Sequence, residues 1–263
     1  MSESETNPQQ RAWSRGDLAK LAAHLPPIYA ELLCEEADLR AGERVLDAAA
    51  GTGTVALAAA RRFCDVVAVD FVPSPLEQAA RLAACEDLPL VTHLADVQDL
   101  PYEDDAFDAV LSAFGAMFAP DQGRTAGELA RVTRRGGRVG VTGWCMAGLI
   151  GDYARTIGKY LGSGTGHSPF AWGTEDRVRE LFPDAQIRTA WRGQPFRYPS
   201  VEFAVDYFAE WYGPASAAFA ALDDAGRRDL RADMIDVWHA HNRATDGTLV
   251  AIADYLETIV LIG

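Results

Sequence analysis

The stretch that decides the fold is Val45-Leu46-Asp47-Ala48-Ala49-Ala50-Gly51-Thr52-Gly53. It predicts a short buried strand over Arg44–Asp47 that ends in a carboxylate, followed by a loop of small residues that opens an alanine-rich helix over Thr54–Phe63. Small residues let a ligand approach the backbone, and a helix N-terminus offers unpaired N–H groups. In a parallel sheet such a loop lies at the carboxyl ends of the strands, where ligands bind. We therefore expect a ligand site at this loop.

Further strands and helices alternate along the chain after this loop. The next apolar strands are predicted at Val66–Asp70, Leu90–Ala95, Phe107–Ala113 and Arg138–Trp144. Ser74-Pro75-Leu76-Glu77 predicts a helix start, because Ser74 can cap the helix and Pro75 fits its first turn. Near-continuous apolar strands that alternate with helices indicate an α/β fold, with a mostly parallel sheet and helices on both faces.

The segments outside this alternation are mainly helical. Residues 13–40 are predicted to be helical with a break at Pro26-Pro27, and residues 1–37 form an N-terminal helical segment or lid. Residues 38–263 form one domain, in which a helical cap at about 199–247 is inserted between the last strands. The predicted elements beyond Trp144 are helices at Ala147–Leu161, Thr174–Phe182, Ser200–Tyr212 and Asp223–His241, and strands at Ile187–Tyr198 and Tyr255–Ile262.

Composition and charge exclude several classes of partner. The 263 residues contain 24 Lys+Arg and 38 Asp+Glu, which gives a net charge of −14. Such a surface repels phosphate backbones, so we expect neither a nucleic-acid partner nor docking on anionic lipid. There is no apolar run of ~20 residues and no signal peptide, so we expect no membrane association. The four cysteines form no CxxC pair, which favours a reducing cytoplasm and no metal site. The sequence is compatible with a homodimer.

Two cofactors compete for the loop after the first strand. Gly51–Ala56 matches the dinucleotide pattern G-x-G-x-x-G/A, and Asp70 stands where a ribose-binding acid would, which supports NAD. Asp47 discriminates between the two, because a carboxylate at the mouth of the loop repels a pyrophosphate. It suits a ligand with positive charge there, such as S-adenosyl-L-methionine (SAM), which carries a sulfonium and an ammonium group.

The motif order over residues 40–145 resembles that of the class I SAM-dependent methyltransferases. It is similar in particular to their ubiquinone/menaquinone C-methyltransferase-like and small-molecule group. Asp47–Gly53 resembles the family's first motif, D-x-G-x-G-x-G, with Ala49 where the first glycine is expected. Leu94–Pro101, Phe107–Gly115 and Glu128–Arg138 resemble later segments of the same Rossmann-like fold. The resemblance implies SAM as the cofactor.

The resemblance also implies a set of cofactor contacts at the strand ends. Asp70 would accept hydrogen bonds from both ribose hydroxyls, and Phe71 would pack on the nucleoside. Asp96 would accept from the adenine amino group, and the Val97 N–H would donate to a ring nitrogen. The alternatives are that Asp47 and Asp70 only cap local structure, that Asp96 is a solvated loop acid and that Ser112 is a small residue at the sheet rim. The candidate cofactor-binding residues are Asp47, Ala48, Ala49, Gly51, Gly53, Asp70, Phe71, Asp96, Val97 and Ser112.

The methyl acceptor should contact residues outside the shared core, where aromatic side chains are dense. The alternative role of these aromatic side chains is packing in the core of the inserted segment, which we expect for Phe208. A general base is required only if the acceptor is a hydroxyl or a protonated amine. His167, in a Gly/Ser-rich loop, and His24, before Pro26-Pro27, are the candidate bases. The predicted acceptor pocket consists of Trp144, Trp172, Tyr207, Trp211 and Tyr212.

The sequence predicts a SAM-dependent methyltransferase that acts on oxygen, nitrogen or carbon of a small organic acceptor, such as a secondary metabolite or a quinone-like compound. Nucleobase amino-methylation typically uses Asn/Asp-Pro-Pro-Tyr/Phe after the fourth strand, and this chain has Ser112-Ala113-Phe114-Gly115 there. Two alternatives remain open. One is a SAM-binding cyclase or isomerase that does not methylate, and the other is an NAD-dependent oxidoreductase.

Overall fold

The computed structural model describes Trp13, residues 16–161 and residues 168–263. Within these residues seven strands form one sheet, in the order β3-β2-β1-β4-β5-β7-β6. The strands from β1 to β5 pair in parallel, and β7 pairs antiparallel with β5. The predicted mostly parallel α/β fold is therefore confirmed. The strands are β1 (Arg44–Ala48), β2 (Asp65–Asp70), β3 (Leu90–Leu94), β4 (Phe107–Ala113), β5 (Thr133–Trp144), β6 (Gln186–Tyr198) and β7 (Leu249–Leu261).

Helices connect these strands and fill the segment between β6 and β7. Short 3₁₀ helices occupy Ala116–Phe118 and Pro169–Gly173. The described α-helices are α1 (Leu18–Ala23), α2 (Ile28–Glu36), α3 (Thr54–Ala60), α4 (Pro73–Cys85), α5 (Gln122–Val132), α6 (Leu149–Leu161), α7 (Glu175–Leu181), α8 (Val201–Trp211), α9 (Gly213–Ala221) and α10 (Asp224–His241).

Several element boundaries differ from the sequence-based prediction, and strand β5, for example, begins at Thr133 and not at Arg138. Helix α4 begins at Pro73 after Val72, without a side-chain cap, so the prediction of Ser74 as the cap is wrong. Pro73 takes the first helical position, where its fixed φ fits and its missing N–H costs nothing. Strand β7 begins at Leu249, earlier than predicted, and α9 was not predicted. The sequence of α9 is nearly all small and apolar, so it lacks the periodic pattern of an amphipathic helix.

By its contacts the chain divides into two compact units. We call residues 1–26, 146–165 and 193–254 the helical unit, and residues 27–145, 166–192 and 255–263 the sheet unit. The predicted lid at residues 1–37 and the predicted cap at about 199–247 stay predictions.

The core of the sheet unit forms because its central strands are apolar on both faces. Val45, Leu46 and Leu111 are fully buried, and each such side chain contributes about 1.5–3 kcal/mol by leaving water. One glycine sets the approach of α2: a Cβ at Gly140 of β5 would lie 2.7 Å from Leu111 and 3.1 Å from Leu33 of α2. A larger residue at position 140 would therefore force the Leu111 and Leu33 side chains to shift.

The helical unit folds around a stripe of side chains on α10. Leu230, Met234 and Trp238 follow one another at intervals of four residues, and all three are buried. This spacing places them on one face of the helix. The side chain of Asp223 caps the start of α10 by accepting a hydrogen bond from the Gly226 N–H at 2.8 Å.

Candidate functional site

Asp47 is the last polar residue of β1 and is only 1% exposed. Its Oδ2 accepts a hydrogen bond from the Ala56 N–H at 2.8 Å, one of the donors that the start of α3 leaves unpaired. Its Oδ1 is buried and has no hydrogen-bond partner among the described residues. Burial chiefly, together with the nearby Asp70 charge, raises the pKa of Asp47 to about 8, although the Ala56 N–H opposes this shift. A buried carboxylate with one unpaired oxygen calls for a cationic ligand.

The loop after β1 leaves its backbone open to a ligand. Ala49, Gly51 and Gly53 have φ values of 54°, 54° and 75°, in the left-handed region that favours glycine. A Cβ at Gly53 would lie 2.6 Å from the Ala79 Cβ, and a Cβ at Gly115 would lie 2.4 Å from the Ala49 carbonyl oxygen. The exit of β4 is thus packed directly against the loop, so the small residues at these positions are sterically required.

Asp70 closes the same loop from the end of β2. Its Oδ2 accepts from the Gly51 N–H at 2.8 Å, and its Oδ1 accepts from the Val72 N–H at 2.9 Å. Asp70 is 6% exposed, and burial raises its pKa above the ordinary value. Each carboxylate oxygen has a second lone pair, so these backbone bonds leave capacity for hydroxyl donors. The contacts with ribose stay a prediction.

Ser112 and Asp96 make different local contacts. The Ser112 hydroxyl donates to the Ala48 carbonyl at 2.6 Å and accepts from the Ala116 N–H at 3.0 Å, so this side chain ties β1 to the exit of β4. Asp96 follows β3 and accepts from the Gln98 N–H at 2.9 Å, within its own turn. Val97 beside it is buried, and Phe71 is half-buried. Their adenine and nucleoside contacts stay predictions.

Four aromatic rings of the sheet unit form a cluster that we call the aromatic quartet: Tyr29, Phe114, Trp144 and Tyr255. Phe114 stacks on Trp144 with ring centroids 3.8 Å apart, and Tyr29 and Tyr255 each meet Phe114 edge-on at 5.2 Å. Tyr29 also has a side-chain hydrogen bond with Thr54, and the Asp47 charge adds to the burial that raises its pKa. The quartet therefore lies beside the Asp47 loop. Aromatic faces and a carboxylate both favour a cation.

Sequence reasoning found Trp144 but missed the other three members of the quartet as site residues. Phe114 carried a signal, because it directly follows β4 and precedes Gly115. The sequence around Tyr29 and Tyr255 gave no such signal, because these residues reach the site only through the packing of α2 and the antiparallel pairing of β7 with β5.

The remaining predicted acceptor residues lie in separate places. Trp172 is buried in the sheet unit, edge-on to Phe182 at 6.4 Å. Tyr207, Trp211 and Tyr212 belong to the helical unit, where the Tyr207 hydroxyl donates to the Lys20 carbonyl at 2.6 Å and Lys20 Nζ lies 5.7 Å from the Trp211 ring. Their role in acceptor binding stays a prediction. Phe208 is buried, as the core-packing interpretation expects.

The structure describes one of the two candidate histidines, and the role of both as general bases stays a prediction. His24 follows α1 in the helical unit and meets Tyr207 edge-on at 5.1 Å. His167 lies outside the described residues. Across the described ranges no group of three His, Cys, Asp or Glu side chains could hold a metal ion, and no described helix is long and apolar enough to span a bilayer.

Comparison with known proteins agrees with this geometry. A sequence model of the family described as "Methyltransferase domain" matches residues 46–141. The chain is 40% identical over 223 residues to the uncharacterized protein Rv1403c of Mycobacterium tuberculosis, a match that covers 82% of this chain and 81% of that protein. It is 46% identical over 99 residues to a demethylmenaquinone methyltransferase of Clavibacter sepedonicus, which covers 38% of this chain and 40% of that protein.

A solved structure shares the fold. Geranyl diphosphate methyltransferase, determined in complex with SAM, superposes with a TM-score of 0.55 at 17% sequence identity, covering 90% of this chain and 85% of that one. In this chain the unpaired Asp47 oxygen, the left-handed loop and the quartet suit a cofactor that carries a sulfonium and an ammonium group. The chain belongs to the class I SAM-dependent methyltransferases.

Proposed function

We propose that this methyltransferase acts on a small, flat organic acceptor of the quinone-like or phenolic type. The observation that carries the proposal is the aromatic quartet beside Asp47, because flat rings pack well against aromatic side chains. Two further observations support it. One is the similarity of part of the chain to a demethylmenaquinone methyltransferase, and the other is the net charge of −14, which disfavours nucleic acid.

The described residues have defined tasks in this reaction. The bound cofactor supplies an activated sulfonium leaving group, so the protein mainly aligns the reactants and excludes water. Asp47 would hold the positive charge of the cofactor through its unpaired Oδ1, and Asp70 fixes the loop through its bonds to Gly51 and Val72. The stacked rings of Phe114 and Trp144 would exclude water beside the Asp47 loop.

The proposal is tested with purified protein, SAM and a panel of acceptors that contains 1,4-naphthoquinol, catechol and indole. We expect mass spectrometry to detect a methylated product and S-adenosylhomocysteine in equal amounts. Methylation of protein or nucleic acid while every small acceptor stays unmodified would contradict the proposal. An acceptor that is rearranged while SAM remains intact would instead support the cyclase or isomerase alternative.

The role of the quartet is tested with Phe114→Ala. Loss of the stacked ring should weaken transition-state stabilisation by roughly 1–2 kcal/mol, which is about 5–30-fold in kcat/KM. Phe63→Ala is the matched control, because Phe63 is 79% exposed and belongs to no described ring cluster. Equal kinetics for both variants would show that the quartet does not contribute to the reaction.

A further inference from the structure

Phe114, the stacked ring of the aromatic quartet, has a backbone conformation that a bulky residue rarely adopts. Its φ is 58°, in the left-handed region that favours glycine. A bulky residue stays in this region only where its surroundings hold it there, and such residues concentrate at functional sites. Contacts around Phe114 must therefore compensate for the strain in its main chain.

Thr142 of β5 supplies such a contact. It lies beside Ala113, the last residue of β4, in the parallel pair of β4 and β5. The Phe114 N–H donates to the side-chain oxygen of Thr142, Oγ1, at 3.0 Å, and it also lies 3.3 Å from the Thr142 carbonyl oxygen. Thr142 is 2% exposed, so this hydroxyl is held inside the sheet unit. The main chain of Phe114 is thus fastened to β5 by one buried side chain.

The turn that begins at Phe114 lies directly against the loop after β1. A Cβ at Gly115 would lie 2.4 Å from the Ala49 carbonyl oxygen and 2.6 Å from the Ala49 Cβ, so the two main chains are in contact. Ala49 is itself left-handed, with a φ of 54°. A change in the conformation of Phe114 would move Gly115 and therefore alter the support of Ala49.

Ser112 holds the other end of the same turn. Its hydroxyl accepts a hydrogen bond from the Ala116 N–H at 3.0 Å and donates one to the Ala48 carbonyl at 2.6 Å. The turn from Phe114 to Ala116 is therefore held at both ends by a buried hydroxyl. Ser112 acts on the loop directly, whereas Thr142 acts on it through Phe114.

We propose that Thr142 is a positioning residue for cofactor binding. Its hydroxyl holds Phe114 in the left-handed conformation, and the turn in this conformation keeps the loop after β1 in the shape that SAM requires. Without the hydroxyl, the strained turn relaxes in a fraction of the molecules, and the apparent affinity for the cofactor falls with the fraction that stays competent. This role does not depend on which acceptor is methylated.

Calorimetry with S-adenosylhomocysteine and the cofactor-free protein tests the hydroxyl. Thr142→Val keeps a side chain of similar shape and removes the accepting oxygen, so the dissociation constant should rise about fivefold, the equivalent of one net hydrogen bond. Thr142→Ser keeps the oxygen and should bind within about twofold of the wild type. An unchanged dissociation constant in Thr142→Val would overturn the proposal.

Thr133→Val is the matched control for this substitution. Thr133 lies on the same strand and is 1% exposed, and its hydroxyl donates to the Leu129 carbonyl at 2.7 Å. It pairs with Phe107, the first residue of β4, whereas Thr142 pairs with the last. Thr133→Val should therefore leave the dissociation constant for S-adenosylhomocysteine unchanged. Equal weakening in both valine variants would show that Thr142 serves only the stability of the sheet.

Two backgrounds at position 114 separate the positioning of the backbone from the loss of the ring. Phe114→Ala and Phe114→Gly both lack the ring, but glycine adopts the left-handed conformation without strain. Thr142→Val should therefore still weaken binding about fivefold in the alanine background, and less than about twofold in the glycine background. The same loss in both backgrounds would contradict the proposal, because a hydroxyl with a general structural role gains nothing from glycine at position 114.

Amide hydrogen exchange at Phe114 gives a readout that needs neither ligand nor turnover. The amide should be protected in the cofactor-free wild type, and Thr142→Val should speed its exchange by about the factor by which binding weakens, since both report the relaxed fraction. An unprotected Phe114 amide in the wild type would contradict the proposal even if Thr142→Val failed to fold. No acceptor enters any of these measurements, so the failure of this proposal and the failure of the proposed function are distinguishable.

Discussion

At the scale of single residues, the raised pKa of Asp47 should make the free energy of unfolding fall as the pH rises. Its pKa is about 8 in the folded protein and near 3.8 in a free side chain, so between these values the folded chain holds a proton that the unfolded chain has released. Stability is then lost with rising pH until the folded pKa is passed. Asp47→Asn removes this dependence.

We therefore expect cofactor-free Asp47→Asn to exceed the wild type in stability by on the order of 1–3 kcal/mol at pH 9. The difference should be smaller at pH 6. Urea unfolding at four pH values between 6 and 9 measures it. A difference between the two proteins that stays constant across this range would show that Asp47 is already ionised in the folded state at pH 6.

The same carboxyl makes cofactor binding release a proton. A cation beside Asp47 favours its ionised form, so the carboxyl that is protonated near pH 7 in the cofactor-free protein should lose its proton when SAM binds. Calorimetric binding enthalpies should then differ between phosphate and Tris buffers, and the affinity should rise from pH 6 to pH 8. Asp47→Asn should bind more weakly and show no buffer dependence. Identical enthalpies for the wild type in both buffers would refute the linkage.

At the scale of elements, two tyrosines of the helical unit carry hydroxyls that the fold does not use. Tyr153 on α6 and Tyr198 at the end of β6 are buried against Trp238, with ring centroids 6.0 Å and 6.4 Å away, and neither hydroxyl has a hydrogen-bond partner within the described ranges. Removal of an unpaired buried hydroxyl takes away a desolvation penalty and leaves the ring packing in place.

Tyr153→Phe should therefore be neutral or raise stability by up to about 1 kcal/mol. Trp238→Ala, which removes the ring itself, should cost about 3–5 kcal/mol. Chemical denaturation of the two variants measures both effects. A loss of stability in Tyr153→Phe would mean that an internal water molecule or a ligand occupies this hydroxyl.

The sequence predicted which helices and strands form better than the residues at which they begin and end. The apolar runs predicted β4 with its observed bounds, and the alternation of strands and helices predicted the parallel pairing of β1 to β5. The helix start at Ser74 was wrong because Pro73 competes for the same turn, and α9 was missed because its pattern is uniformly small. Local rules fail where two residues compete or where no periodicity exists.

At the scale of the whole molecule, the predictable part of the site lies at the ends of β1 and β2 and in the loop after β1. Asp47, Gly51, Gly53 and Asp70 follow from local sequence, since each stands at a strand end or in the adjoining loop. Tyr29 and Tyr255 are distant in sequence from that loop and reach the same face of the sheet only through tertiary packing. A single sequence carries no local signal for such contacts.

Helix α2 contacts the aromatic quartet near its N-terminus and Arg192 at its C-terminus, through side chains about one turn apart on one face of the helix. Tyr29 meets the quartet, Leu33 sits over Gly140, and Glu36 binds Arg192. A Cβ at Gly140 would press on the Leu33 side chain, so the glycine lets α2 pack closely on β5. A substitution that moves the helix would therefore disturb the contact of Tyr29 with the quartet and the ion pair of Glu36 with Arg192 together. The two contacts lie about two helical turns apart, so the helix couples them mechanically.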